Sequence, residues 1–142
     1  MGRGTSKAGG TGMVELVGTE KQVEWAKKIR ETYIDMMKRE ADYLQAVKKS
    51  GDIQAVEHDA TASVFVNIYH PTTTYESVKK DMKNTDLYKA FRSTTSGTPE
   101  RKEAGKAFRS AVAQEALKRL NKEVENKKKE KSAAKWIEER VR

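Results

Sequence analysis

The chain has 142 residues, 35% charged and only 36% apolar, with a net charge of +8, so its length supports one domain built on narrow helical stripes around a modest core. The absence of cysteine removes disulfides, thiolate nucleophiles and thiolate zinc sites, and fits a reducing compartment. No apolar run approaches the roughly 20 residues that span a bilayer.

Residues 1–12 hold five of the nine glycines and no apolar segment, which excludes a secretory signal and predicts a flexible arm carrying Arg3 and Lys7. A single helical domain over 13–142 is expected to follow. Val17 to Ala26 then mark the start of a long helix. Thr19 is a good N-cap, Gln22 completes a capping box, and Val17 with Val23 occupy the positions of a hydrophobic staple. Glu20 places negative charge at the positive end of the helix dipole.

This first helix is predicted from Glu20 to about Lys49, closed by Ser50-Gly51. Trp25, Ala26, Ile29, Tyr33, Met36, Met37, Leu44 and Val47 share one sector, opposite Lys21, Glu24, Lys28, Glu31, Asp35, Lys38 and Asp42. Its length, on the order of 45 Å, exceeds a compact domain of this size, so one end is expected to project or to meet a second copy. Glu40 falls on the apolar side, where a lone carboxylate is costly. A salt bridge to the last helix is the favoured explanation, and a partner interface the other.

Asp52 to Val56 reads as a short helix capped by Asp52. Thr61 to Tyr69 is rich in β-branched and aromatic residues and leaves a short β element near 64–69 open. With no second strand to pair with it, a buried helix is preferred. His70-Pro71 ends that element. Thr73 to Glu76 reads as a second capping box, opening a helix with Tyr75, Val78 and Met82 on one side. Asn84-Thr85-Asp86 interrupts it before a short helix from Leu87 to Arg92, and Thr94, Thr95 and Ser96 are loop formers. Thr98-Pro99 begins the last long helix.

Lys89-Ala-Phe-Arg-Ser93 recurs as Lys106-Ala-Phe-Arg-Ser110, too briefly for a structural repeat. In the last long helix Ala104, Ala107, Phe108, Ala111 and Val112 face one way. Ala113, Ala116, Leu117, Leu120 and Val124 face nearly the other. That reversal predicts a kink near Ala111, or a second subunit against Leu117, Leu120 and Val124. Ser132 is the expected cap of a short final helix with Trp136 and Ile137.

Gly18-Thr19-Glu20-Lys21-Gln22, followed by Trp25-Ala26 and Ile29, resembles the opening of a small domain in uncharacterised proteins of bacteriophages and other mobile elements. That domain ends close to A-K-aromatic-W-I-[DE]-x-R. The chain matches the pattern at Trp136, Ile137, Glu138 and Arg140 and departs from it at Ala134 and Lys135. The resemblance covers one cluster at each end and leaves 51–131 unmatched. It implies a mobile-element origin, a bacterial cytoplasm and contact of the first and last helices through Trp25 and Trp136. It carries no activity.

The chemistry-bearing residues point away from catalysis. Glu57-His58-Asp59 and His70 form the histidine-containing cluster, but neighbours on a helix diverge by about 100°, and a metal would need a further carboxylate, with Glu40 the best candidate. Exposed loop residues are the preferred reading, with no metal and no cofactor. No phosphate-cradling glycine motif, nucleophile with a base, or small-molecule site is evident.

Charge is the remaining signal. Ser50 to Val78 lacks Lys and Arg, whereas Lys79 to Arg142 holds nineteen basic and ten acidic residues, a net +9. Lys79, Lys80, Lys83, Lys89 and Arg92 interleave with Tyr75, Tyr88 and Phe91, and Lys118, Arg119 and Lys122 follow on the last long helix. Cations beside aromatics suit single-stranded nucleic acid, unless the aromatics belong to the core. The expected class is an all-α, non-enzymatic binding protein whose partner is nucleic acid or a nucleic-acid-handling complex. Rivals are an inhibitor of host defence acting by protein contact and a virion or assembly component that oligomerises through Glu40, Leu117, Leu120 and Val124.

Overall fold

Local signals of helix initiation dominate what the chain becomes. In the computed structural model, which describes residues 13–139, six helices follow one another. They are α1 (Glu20–Ser50), α2 (Ala60–Tyr69), α3 (Tyr75–Asp81), α4 (Asp86–Arg92), α5 (Pro99–Lys128) and α6 (Ala133–Glu139). Short 3₁₀ turns occupy Ile53–Ala55, Pro71–Thr73 and Met82–Asn84. Among the described residues the one extended pairing is a parallel bridge between Val17 and Ser132, and there is no sheet. The protein is all-α, and no described helix is long and apolar enough to cross a membrane. The arm at 1–12 and Arg140 lie outside the described residues.

The helix starts follow their caps. Thr19 and Gln22 exchange the two bonds of a capping box, at 3.0 and 3.2 Å. Asp52, Asp59, Thr85, Thr98 and Ser132 each accept from the backbone N–H two or three residues on. The start of α3 is displaced by one residue from the expected box. Thr74 is the cap, accepting from Ser77, while the Thr73 hydroxyl donates to the His70 carbonyl. The segment at 61–69 is helix, which closes the β alternative. It is not a buried helix, however, since only Ala62 and Val66 are enclosed.

The chain divides into two compact units, with α1 and α5 contributing to both. The first holds residues 13–35 and 122–139 of the described chain. Its core is Leu16, Ala26, Tyr33, Ala133 and Trp136, with the buried Arg30 among them. Val17 N–H donates to the Lys131 carbonyl and Ala133 N–H to the Val17 carbonyl, at 2.7 and 2.9 Å. The Val17 side chain is 65% exposed, so its backbone, not an apolar staple, fixes the entry to α1. Trp136 packs edge-on against Tyr33 at 5.6 Å, lies under the Lys127 ammonium and donates its indole N–H to the Glu130 carbonyl. Lys127 is also paired with Glu139. Trp25 is 47% exposed, and the α1 ring against Trp136 is that of Tyr33. The Arg30 guanidinium donates to the Val14 carbonyl at 2.7 Å, and burial holds its pKa below the ordinary value.

The second unit holds residues 36–121. Met37, Leu44 and Val47 of α1, Ala62 and Val66 of α2, and Tyr75 and Val78 of α3 form its core with Phe108, Val112, Ala113, Ala116 and Leu120 of α5. The end of α1 is latched to α5. Gly51 adopts φ +68, Arg109 Nε donates to its carbonyl at 2.6 Å, and Ser110 Oγ donates to the Lys48 carbonyl at 2.6 Å. A Cβ on Gly51 would lie 2.9 Å from the Lys106 carbonyl oxygen, so only glycine allows this approach. Phe91 and Phe108, the aromatic positions of the recurring pentapeptide, stack on each other at 6.1 Å, with Tyr88 against Phe108 at 5.0 Å.

The buried positions of α5 follow one drifting row rather than two opposed stripes. The helix runs unbroken from Pro99 to Lys128. Phe108, Val112, Ala116 and Leu120 form an i,i+4 row that drifts by about 40° per step, and Ala113 widens it. The expected reversal leaned on Ala107, which is exposed, and on Ala104 and Ala111, which are half-buried.

Candidate nucleic-acid interface

The cations singled out by the sequence lie on three elements. α3 carries Lys79 and Lys80, the following turn Lys83, and α4 Lys89 and Arg92. Capping by Thr74 and Thr85 sets the phase of both short helices, so Tyr75 and Val78 turn inward and the cations outward. Lys79 is half-buried; the other four are exposed. None of the five forms an ion pair or hydrogen bond with any described residue. Lys118, exposed on α5, is likewise unpaired. Lys122, one turn further along α5, is exposed as well.

Arg119 is a correction. Its guanidinium donates to Asp81 at 2.9 Å, to the Thr72 carbonyl at 3.2 Å and to Glu115 at 3.2 Å. The bond to Asp81 leads in raising its pKa. Three acceptors occupy the fork, so Arg119 braces α3 against α5 instead of waiting for a phosphate. It also neutralises Asp81, the acidic residue set among Lys79, Lys80 and Lys83.

Of the three aromatics Tyr75 alone is core, while Tyr88 and Phe91 are half-buried against α5. Tyr75 is buried, Tyr88 packs on Phe108, and Phe91 is stacked between Phe108 and the Arg101 guanidinium, whose carbon lies 4.4 Å from the ring centroid. No ring in this segment is offered as a stacking platform for bases. What the arrangement offers a polyanion is charge alone.

Two of the four interface positions, Glu40 and Leu120, are enclosed by the chain itself. Glu40 is 2% and Leu120 1% exposed, both enclosed by their own chain, while Leu117 and Val124 are half-buried. The partner of Glu40 is not a cation of the last helix: Oε1 accepts from His58 Nε2 at 2.9 Å. The His58 ring stacks on Tyr43, with centroids 3.5 Å apart and planes 5° from parallel. Burial first, then Glu40 and Glu76, raise the Tyr43 phenol pKa. Glu40 and His58 thus satisfy each other directly, and no group of three or more metal-ligating side chains occurs among the described residues. The sequence brought Glu40 and His58 together only as metal ligands; their direct contact and the stacking on Tyr43 join a helix and a loop eighteen residues apart, with no shared period to reveal them.

No protein-family model, curated protein or solved structure matches the chain.

Proposed function

We propose that this chain is a non-catalytic accessory protein of a bacteriophage or mobile element that holds nucleic acid by its phosphates, in the cytoplasm of a bacterial host. The contacts are made by Lys79, Lys80, Lys83, Lys89 and Arg92, with Lys118 beside them. The observation that carries this reading is the unpaired state of those cations, with the intervening Asp81 engaged by Arg119. Cations held without counter-charges gain most from displacing the ions condensed on a polyanion. With Tyr75 buried and Tyr88 and Phe91 packed on Phe108, recognition is of backbone, without base readout.

Fluorescence anisotropy with unrelated single- and double-stranded oligonucleotides, from low to moderate salt, tests the proposal. Binding should be nearly independent of sequence and fall steeply with salt. Absence of binding even at low salt would remove nucleic acid as the partner. Protein contact, as in an inhibitor of host defence, would then be the better reading.

A further inference from the structure

α2 is unlike the other helices. α1, α3, α4, α5 and α6 all carry exposed Lys or Arg, as Lys38, Lys80, Lys89, Lys118 and Lys135 illustrate. The exposed residues of α2 are Ala60, Thr61, Val64, Asn67 and Ile68, none of them charged. At about 100° per residue they form one continuous face, opposite the buried Ala62 and Val66. Val64 and Ile68 are each 58% exposed and sit at i,i+4, one turn apart. A helix face turned to water ordinarily carries charge, and an apolar one marks a place of contact.

The segment that carries this face is acidic. No Lys or Arg occurs from Ser50 to Val78. Glu57, just before α2, and Glu76, in the first turn of α3, are exposed and form no ion pair with any described residue. Asp59 caps α2 and meets Arg39 at 3.4 Å. Glu76 acts on Tyr43, whose ring stacks on His58 in the loop that leads into α2. Phosphate is repelled from such a surface. A second copy meeting it α2 to α2 would set acidic surroundings against acidic surroundings, which like charge disfavours.

We propose that the outer face of α2 docks a basic amphipathic helix of a partner protein, its apolar side chains on Val64 and Ile68 and its cations toward Glu57 and Glu76. The apolar pair supplies contact and the flanking acids supply orientation and selection. This surface is separate in residues and opposite in charge from the cations of α3 and α4, so the chain joins a protein to nucleic acid.

The probe is a fluorescein-labelled synthetic helix of about 18 residues with leucines at i,i+4 and Lys and Arg beside them, titrated with the full chain at moderate salt. Two control peptides accompany it, one of scrambled order and one with Glu in place of the cations. The basic helix should bind, and both controls should bind at least about tenfold more weakly. Val64→Ser with Ile68→Ser should weaken binding by at least about tenfold, with the urea midpoint and oligonucleotide affinity unchanged. Glu57→Lys with Glu76→Lys should weaken it comparably. Failure of the basic helix to bind would overturn the proposal, as would equal binding of the scrambled peptide or indifference to the serine pair. A concentration-dependent dimer abolished by the serine pair would also overturn it, assigning the face to a second copy. Oligonucleotide binding is read separately, so either proposal can fail alone.

Discussion

Arg109 closes the end of α1 from a helix 58 residues away, its Nε–H donating to the Gly51 carbonyl at 2.6 Å. The same glycine sits at φ +68 with the Lys106 backbone where a side chain would begin. Gly51→Ala should therefore cost about 2 kcal/mol or more, combining left-handed strain with a steric clash. Arg109→Ala should cost about 1–2 kcal/mol by leaving a carbonyl without its donor. Urea unfolding followed by circular dichroism measures both; a Gly51→Ala cost below that of Arg109→Ala would contradict the close approach.

The Glu40–His58 contact separates two substitutions that look equally mild. Glu40→Gln keeps an acceptor for the imidazole N–H and should cost about 1 kcal/mol. His58→Ala leaves a buried carboxylate without its partner and strips the ring from Tyr43, and should cost about 2–4 kcal/mol. Equal costs in the same unfolding assay would show that the hydrogen bond is not what holds Glu40 inside.

Tyr75 presents a buried hydroxyl with no hydrogen-bond partner among the described residues. Tyr75→Phe should consequently be neutral or stabilising, by up to about 1 kcal/mol at neutral pH. Burial pushes its phenol up to about 12, with Arg109 opposing and Glu76 and Tyr43 adding. A pKa raised on folding gives stability that is complete below the unfolded value near 10 and is lost as pH rises through the folded one. Between about pH 10 and 12 the wild type should lose about 2 kcal/mol through this group. Tyr75→Phe should lose correspondingly less, and parallel curves for the two proteins would count against the assignment.

Lysines 79, 80 and 83 and the neighbouring Arg119 should respond oppositely. Gln at the three lysines should flatten the salt dependence of oligonucleotide binding by roughly one unit of slope per lost contact, with stability within about 0.5 kcal/mol of wild type. Arg119→Ala should cost about 1–2 kcal/mol, since it removes the brace to Asp81 and Thr72, and should leave the slope nearly unchanged. Anisotropy and urea unfolding on the same samples distinguish them. A flatter slope in Arg119→Ala would return that residue to the phosphate contacts.

What was legible in the sequence was local. Thr19, Asp52, Thr98 and Ser132 cap residues only two or three positions away, so composition and spacing suffice to find them. Thr73 and Thr74 are both suitable caps, and the choice between them followed from the His70 carbonyl, which composition does not reveal. Which side of α2 faces out was hidden because the exposed Val64 and Ile68 are as apolar as the buried Val66. Alanine misled in α5, since Ala107 counts as apolar yet lies in water. The partners of Glu40 and Arg119 depended on tertiary approach, and of the candidate interface only the free cations were readable beforehand.

The Val17–Ser132 bridge has a consequence for the order in which the protein assembles. The second unit is one uninterrupted stretch, 36–121, and every contact in its core is available as soon as that stretch is synthesised. The first unit is discontinuous: strand pairing at Val17 and the Trp136–Tyr33 contact both wait for residues more than a hundred positions downstream. Closing so long a loop costs about 4 kcal/mol, which only the finished set of contacts around Trp136 can offset. Folding therefore proceeds from the middle of the sequence outward. Amide exchange in the native protein should find 13–35 and 122–139 opening together while 36–121 stays protected.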